Sequence, residues 1–212
     1  MRVPADFERN VFLNCPFDKD YEPLLRALVF TLVRLGYRPR IATECSDSAQ
    51  QRLVKICNLI GSCRYAIHDL SRLRSKAAGE LYRMNMPFEL GIDYGARAFA
   101  GGFLGRKKSL ILEREKHQFR TAISDLSGVD IQSHGDDPIQ VVRAIRNWFV
   151  SNAGIKGAPA PQQIWDEFNT YLADFYEQRK KDGFSDEDLN SLPVTEQIDS
   201  IQEWLAPRRS AE

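Results

Sequence analysis

Two carboxylates in this chain occupy positions from which nucleophilic or acid–base chemistry could be done. Glu89 lies in "RMNMPFELGIDYG" (residues 83–95), two residues after Pro87 and two before Gly91. Pro suits the first helical turn, where its missing N–H costs nothing, and a Glu there meets the positive end of the helix dipole. Asp69 closes the apolar run "AIHDLS" (residues 66–71), followed closely by Ser71. A third group, "NCPFDKD" (residues 14–20), brings Asn14, Phe17 and Asp18 after another apolar run. A cleft edged by Glu89 and Asp69 with an aromatic nearby has the parts for breaking a glycosidic bond. One carboxylate traps or stabilises an oxocarbenium-like carbon, and a second polar group handles the sugar hydroxyls or the leaving group.

The elements that must position these residues follow from apolar periodicity. "VFLNC" (residues 11–15) reads as a central strand. Leu24, Leu25, Leu28, Leu32 and Leu35 recur at helical spacing until Gly36, and "YRPRIA" (residues 37–42) is a strand whose Pro39 predicts a sheet edge. Ser48 can cap a second helix with Leu53, Ile56, Cys57 and Ile60 as its apolar stripe, ending at Gly61. "CRYAIHDLS" is the third strand, "KKSLILE" (residues 107–113) the fourth and "GVDIQ" (residues 128–132) the fifth. The Glu89 helix precedes the fourth strand. A helix opened by Asp137 and Pro138 follows the fifth, carrying Ile139, Val142, Ile145 and Phe149. Strands alternating with helices of this length predict an α/β fold: a flavodoxin/Rossmann-like three-layer sandwich with a five-stranded, mostly parallel sheet in the order 2-1-3-4-5. In that order the three candidate segments converge at the carboxyl edge of the sheet, where such folds bind ligands.

The 212 residues divide into an α/β domain (1–153), a Gly/Ala/Pro linker (154–161) and a C-terminal helical extension (162–212). In the extension, Ile164, Trp165, Phe168, Leu172, Phe175 and Tyr176 make one apolar stripe. Ser185 caps a short helix, and Val194, Ile198, Ile201 and Leu205 mark another. These faces must pack on the α/β domain or on another subunit, so a homo-oligomer or a partner held by the extension is expected. Lys+Arg and Asp+Glu both number 29, which gives a net charge of +0 and makes nucleic acid an unlikely partner. The longest apolar run, Ala27 to Val33, is too short to span a bilayer, and "MRVPADFERN" has no apolar core of a secretory signal. Cys15, Cys45, Cys57 and Cys63 lack C-x-x-C spacing and read as reduced, mostly buried thiols of a cytoplasmic protein. His68, His117 and His134 are scattered, so no metal is implied.

"VFLNCPFD", "AIHDLS" and above all "MPFELGIDYGA" (residues 86–96) resemble the nucleoside 2-deoxyribosyltransferase-like family, which shares its layout and a helix-borne Glu with the Toll/interleukin-1 receptor-like NAD glycohydrolases. The resemblance covers roughly Val11 to Val150. It implies that Glu89 is the nucleophile at the anomeric carbon and that Asp69 contacts the nucleoside. The family's Asp a few residues before the nucleophile has no counterpart in "RMNMPFE", where Asn85 is the nearest polar residue, and its first-strand Tyr is Phe12 here. What the resemblance implies is an N-glycosidase acting on a nucleotide-type substrate, with NAD as a substrate and not a cofactor, in the manner of bacterial anti-phage effectors. The alternatives are a non-catalytic nucleotide-sensing or protein-interaction module of the same fold, and a true nucleoside 2-deoxyribosyltransferase.

Several residues carry simpler expectations. On a helical wheel Gly91, Gly95, Ala98 and Gly102 share a narrow arc that would seat the helix on the sheet, with Glu89, Asp93 and Arg97 opposite on a solvated face. Asp69 could cap its own loop, Asn14 and Asp18 could shape the turn at Pro16, and Cys15 is expected to be a core thiol. "GGFLGRKKS" (residues 101–109) lacks the ending of a phosphate-binding loop and reads as a turn. Arg72, Arg74 and Arg83, after the third strand, are the cations placed to meet substrate phosphates.

Overall fold

A computed structural model of the chain describes residues 2–44, 49–72, 84–116, 118–121, 123–126 and 128–209. Five strands, β1 (Asn10–Asn14), β2 (Arg38–Ile41), β3 (Tyr65–Asp69), β4 (Lys108–Glu113) and β5 (Ile131–Ser133), form a sheet in the order β2-β1-β3-β4-β5. Every pairing is parallel. The α/β class and strand order expected from the sequence are therefore present. Helices α1 (Glu22–Arg34) and α4 (Pro138–Ala153) lie on one face, and α2 (Arg52–Gly61) and α3 (Asn85–Phe99) on the other. Alternation along the strands divides the core. Val11, Leu13, Tyr65, Ile67, Leu110 and Leu112 pack toward α1 and α4, whereas Phe12 and Ala66 pack toward α2.

The C-terminal helices α5 (Pro161–Lys181), α6 (Asp186–Asn190) and α7 (Val194–Arg209) follow a short connection. That connection is pinned to α4 by Arg146, which donates to the carbonyls of Ala158 and Pro159. Ile164, Phe168 and Tyr171 of α5 and Ile198, Ile201 and Leu205 of α7 join the same apolar cluster as α1. Phe30 of α1 stacks against Phe168, Tyr171 and Trp204 at centroid distances of 5.4, 5.5 and 6.1 Å. Arg34 beside it is held by Glu167 at 2.7 Å. Helix α1 is thus covered by the sheet on one side and by α5 and α7 on the other, which is why "ALVF" (residues 27–30) is apolar all round. The apolar stripes expected to seek either the α/β domain or a second subunit pack largely within the chain, with Trp165, Leu172 and Phe175 partly buried and Tyr176 left exposed.

The outer edge of β2 is closed to strand addition. Arg38 donates its N–H to Arg9, so alternation turns Pro39 and Ile41 outward. Pro39 has no N–H, and the N–H of Ile41 is taken by Glu44 at 3.2 Å. Both outward donors are thereby removed from the edge. Asp137 caps α4 by accepting from Ile139, and Ser185 forms a capping box with Asp188, as their positions predict. Ser48 lies outside the described residues, and Gln51 precedes α2 without a side-chain cap. The α2 stripe is also rotated from the expected one: Ile56, Leu59 and Ile60 are buried, while Leu53 and Cys57 are exposed.

Because Phe30 joins the core to the outer helices, Phe30→Ala should cost about 3–5 kcal/mol. A urea titration that left the midpoint unchanged would show that α5 and α7 do not depend on this contact.

Candidate functional site

Alternation places two polar networks on opposite faces of the carboxyl edge of the sheet. On the α3 side stand Asn14 and His68, which are directly paired in the β1–β3 register. Asn14 Nδ2 donates to the carbonyl of Met86 at 2.8 Å and lies 2.9 Å from His68 Nδ1. An amide nitrogen has no lone pair to offer, so Nδ1 is the acceptor and His68 carries its proton on Nε2. That nitrogen faces Asp93 of α3 at 3.3 Å. Asp93 also accepts from Ser109 at 2.5 Å and pairs with the Lys107 ammonium at 3.0 Å. Lys107 is itself buried, and its remaining donors go to the carbonyls of Ile60 and Cys63 at the end of α2. Burial pushes the Asp93 carboxyl up, but His68, Lys107 and Ser109 outweigh it and hold the group well below the usual range.

Helix α3 is therefore turned opposite to the wheel expectation. Met86, Glu89, Leu90 and Asp93 face inward, while Gly91 is exposed and a Cβ there would meet nothing within 4 Å. Glu89 precedes Asp93 by four residues, so anchoring Asp93 carries Glu89 inward on the same face one turn nearer the sheet edge. Glu89 is 6 % exposed and has no hydrogen-bond partner among the described residues. Burial raises its pKa above the ordinary value, against weaker opposing attraction from Arg52 and His68.

On the α1 side Asp69 is fully buried and fully engaged. Its Oδ2 accepts from Tyr21 Oη at 2.6 Å and from His134 Nε2 at 3.1 Å, and its Oδ1 accepts the Ser71 N–H at 2.8 Å. The Nδ1 of His134 accepts the N–H of Asp136 at 3.0 Å, which fixes its proton on Nε2. Burial raises the Asp69 pKa, but the donors from His134, Ser71 and Tyr21 win and lower it. With 0 % exposure Asp69 offers no open oxygen to a ribose; it holds the start of α1 and the segment after β5 together. Ser71 Oγ lies 2.9 Å from His134 Nε2, yet that nitrogen is already a donor, so the serine has no base to activate it. Between the two networks sits Cys15, whose thiol is pushed well up by burial and by the charges of Asp69 and Glu89. It is a buried, unactivated thiol, as expected.

The remaining candidates are dispersed. Asp18 accepts from Tyr21 N at 3.1 Å and is gripped by Arg72 through two contacts of 3.1 Å, so this cation is neutralised across the mouth of the crevice. Phe17 is largely exposed and, with Asp18, lines a cavity of about 320 Å³ shared with Leu192, Pro193 and Val194 before and at the start of α7. Asn85 is exposed at the first position of α3. Arg74 and Arg83 lie outside the described residues. Phe12, which stands at the family's Tyr position, is buried under α2 and cannot reach the crevice. Sequence reasoning missed His68, His134, Tyr21, Lys107 and the buried Glu113, which accepts from Phe119 N. The signal that could have found the histidines is their position at, or just beyond, the ends of apolar strands. Among the described residues no group of three His, Cys, Asp or Glu side chains is arranged to hold a metal. Comparison with protein-family models, curated proteins and solved structures returns no match to this chain.

The Asp93 network yields a direct prediction. Asp93→Asn leaves Lys107 buried without its countercharge and should cost about 3–5 kcal/mol in chemical denaturation. Asp93→Leu combined with Lys107→Met should cost less than the sum of the single changes, by more than about 1 kcal/mol. The carboxyls of Asp93 and Asp69 titrate below their unfolded values. The stability they contribute is therefore present above about pH 4 and is lost as pH falls. In Asp93→Asn the acid limb of stability against pH should be correspondingly shallower; an unchanged limb would mean that Asp93 is not the ion-paired group.

Proposed function

We propose that the chain cleaves the base–ribose bond of a nucleotide-type substrate, with Glu89 as nucleophile or oxocarbenium stabiliser. The observation that carries this reading is Glu89 itself: a nearly buried carboxylate at the ligand-binding edge of a parallel sheet, without a hydrogen-bond partner among the described residues, on a helix anchored by its neighbour one turn on. A structural carboxylate at such depth is ordinarily engaged by donors, as Asp69 and Asp93 are. The reaction needs an attacking carboxylate and a leaving base. Glu89 bonds to the anomeric carbon as the C–N bond breaks and its electron pair leaves with the base; water then hydrolyses the glycosyl ester, releasing the sugar and a proton.

The second half of the reading concerns the leaving group. Asp69 and Asp93 are held ionised, and His68 and His134 each direct an Nε2 proton at one of those carboxylates. None of these groups is free to protonate a departing base at neutral pH. A base that is already cationic, such as the pyridinium of NAD, needs no proton, because the departing pair cancels its charge. NAD is therefore the preferred substrate over neutral nucleosides. Of the polar and aromatic candidates, Asn85, exposed in the first turn of the Glu89 helix, is the one proposed to meet the rest of the nucleotide. Cleavage of NAD would suit an effector of anti-phage defence.

Incubating the protein with NAD and a panel of nucleosides and nucleotides, and following free base by chromatography, tests this. Nicotinamide should be released by the wild type and fall by at least about a hundredfold in Glu89→Gln. Nucleotide binding with no release from any substrate would favour the sensing module instead, and transfer to an acceptor base would favour the deoxyribosyltransferase. Because activity needs ionised Glu89 and its pKa is raised, the rate should fall on acidification at a pH above the ordinary Glu value of about 4.3. The same raised pKa means that the charge destabilises the fold at neutral pH. Glu89→Gln should thus be more stable by about 1 kcal/mol, roughly 2–4 °C in melting temperature. A variant that lost activity and stability together would point to a structural Glu89.

A further inference from the structure

The two edges of the sheet are finished differently. At β2 the outward donors are spent, because Pro39 has no N–H and Ile41 gives its own to Glu44. At β5 they are open. His134 donates its N–H to the carbonyl of Glu113, while Ser133 is the residue in register with Glu113. Gln132 and His134 therefore turn their backbone toward β4, and Ile131 and Ser133 turn theirs outward. Those outward N–H and C=O groups have no partner among the described residues. The free stretch has defined ends: Val129 gives its N–H to Leu126, and Gly135 gives its own to Arg114.

Beside this edge a groove of about 620 Å³ runs between β5 and α4, and both Asp130 and Arg143 line it. Each is exposed, and neither has an ion-pair or hydrogen-bond partner among the described residues. The direction of α4 keeps them apart. The helix starts just beyond the carboxyl end of β5 and runs back until the Asn152 carbonyl meets Lys108 at the start of β4. Arg143, in its second turn, thus lies toward the carboxyl end of β5, whereas Asp130 precedes the amino end. Asp130 and Ser133 stand about 10 Å apart along the strand.

A two-fold axis through Gln132 resolves both deficits together. Antiparallel pairing about that axis sets Ile131 of one copy against Ser133 of the other. Both face outward, so each such pair exchanges N–H and C=O hydrogen bonds. The same rotation carries Asp130 of each copy to the carboxyl end of the other's β5, on the side of Arg143, and brings the two Gln132 amides together. A parallel neighbour in register would instead set Asp130 against Asp130 and Arg143 against Arg143. We infer that a second copy of this chain pairs β5 against β5, joining two five-stranded sheets into one across an isologous interface. The closed β2 edge stops the assembly at two copies. Short and polar, the contact belongs with weak, reversible interfaces.

Sedimentation equilibrium of the full chain reads the association. The wild type should dimerise with a dissociation constant between roughly 1 μM and 1 mM. Arg143→Glu or Asp130→Arg sets like charges together at both ends and should weaken association at least about tenfold. The double exchange Asp130→Arg/Arg143→Glu should restore it to within about threefold of wild type. Both side chains are exposed, so these variants should keep the wild-type melting temperature. In the dimer the amides of Ile131 and Ser133 should exchange with solvent at least about tenfold more slowly than in the monomer. A chain still monomeric at about 1 mM, a dimer indifferent to the charge reversals, or single variants that the double exchange does not rescue would overturn the inference. So would a monomeric wild type whose two amides are protected by an added peptide of about seven alternating valines and lysines, since any strand would then serve.

Discussion

The buried contact between Asp93 and Lys107 is the constraint on which the rest of the site depends. It joins three elements at once, because Lys107 also closes the end of α2 through the carbonyls of Ile60 and Cys63, while Asp93 takes His68 of β3 and Ser109 of β4. A lysine that is 1 % exposed would be untenable without that countercharge, and the carboxylate would be equally costly without its donors. Rotating α3 in either direction breaks both sides of the arrangement, so the helix has one acceptable azimuth. Glu89 then has no choice about where it points.

The same logic separates the carboxylates of the sheet edge by role. Asp69 and Asp93 have every oxygen facing a donor or a cation, stay ionised, and fasten neighbouring segments to the sheet. Glu89 is nearly buried without comparable partners among the described residues, so its ionised form is the strained one. Structural rigidity and chemical potential are thus assigned to different residues of one sheet edge. The outer layer of α5 and α7 works on the other face in a parallel way: it buries α1 from behind, while Tyr21 at the start of that helix meets Asp69.

How far these features were legible in the sequence depended on whether apolar burial alone decided them. The strands, their order, the edge position of Pro39, the capping residues Asp137 and Ser185, and the helical stripes of the extension all follow from apolar period and local turn chemistry. The orientation of α3 did not, because wheel reasoning sends charge outward and small residues inward. Here two carboxylates are inside and the glycines outside. Lys107 was hidden in what reads as an ordinary turn, and His68 and His134 read as isolated because their partners are 25 and 65 residues away.

By itself, then, the sequence determined the alternation of strands and helices, and with it the sheet edge to which Asn14, Asp69 and Glu89 are brought. Those outcomes rest on interactions whose period is written along the chain. Only the tertiary structure decided which of those residues are consumed by the fold and which is left over. A buried charge is tolerated or strained according to groups that arrive from distant strands, and no local pattern records whether Lys107 will meet Asp93 or whether any donor will reach Glu89.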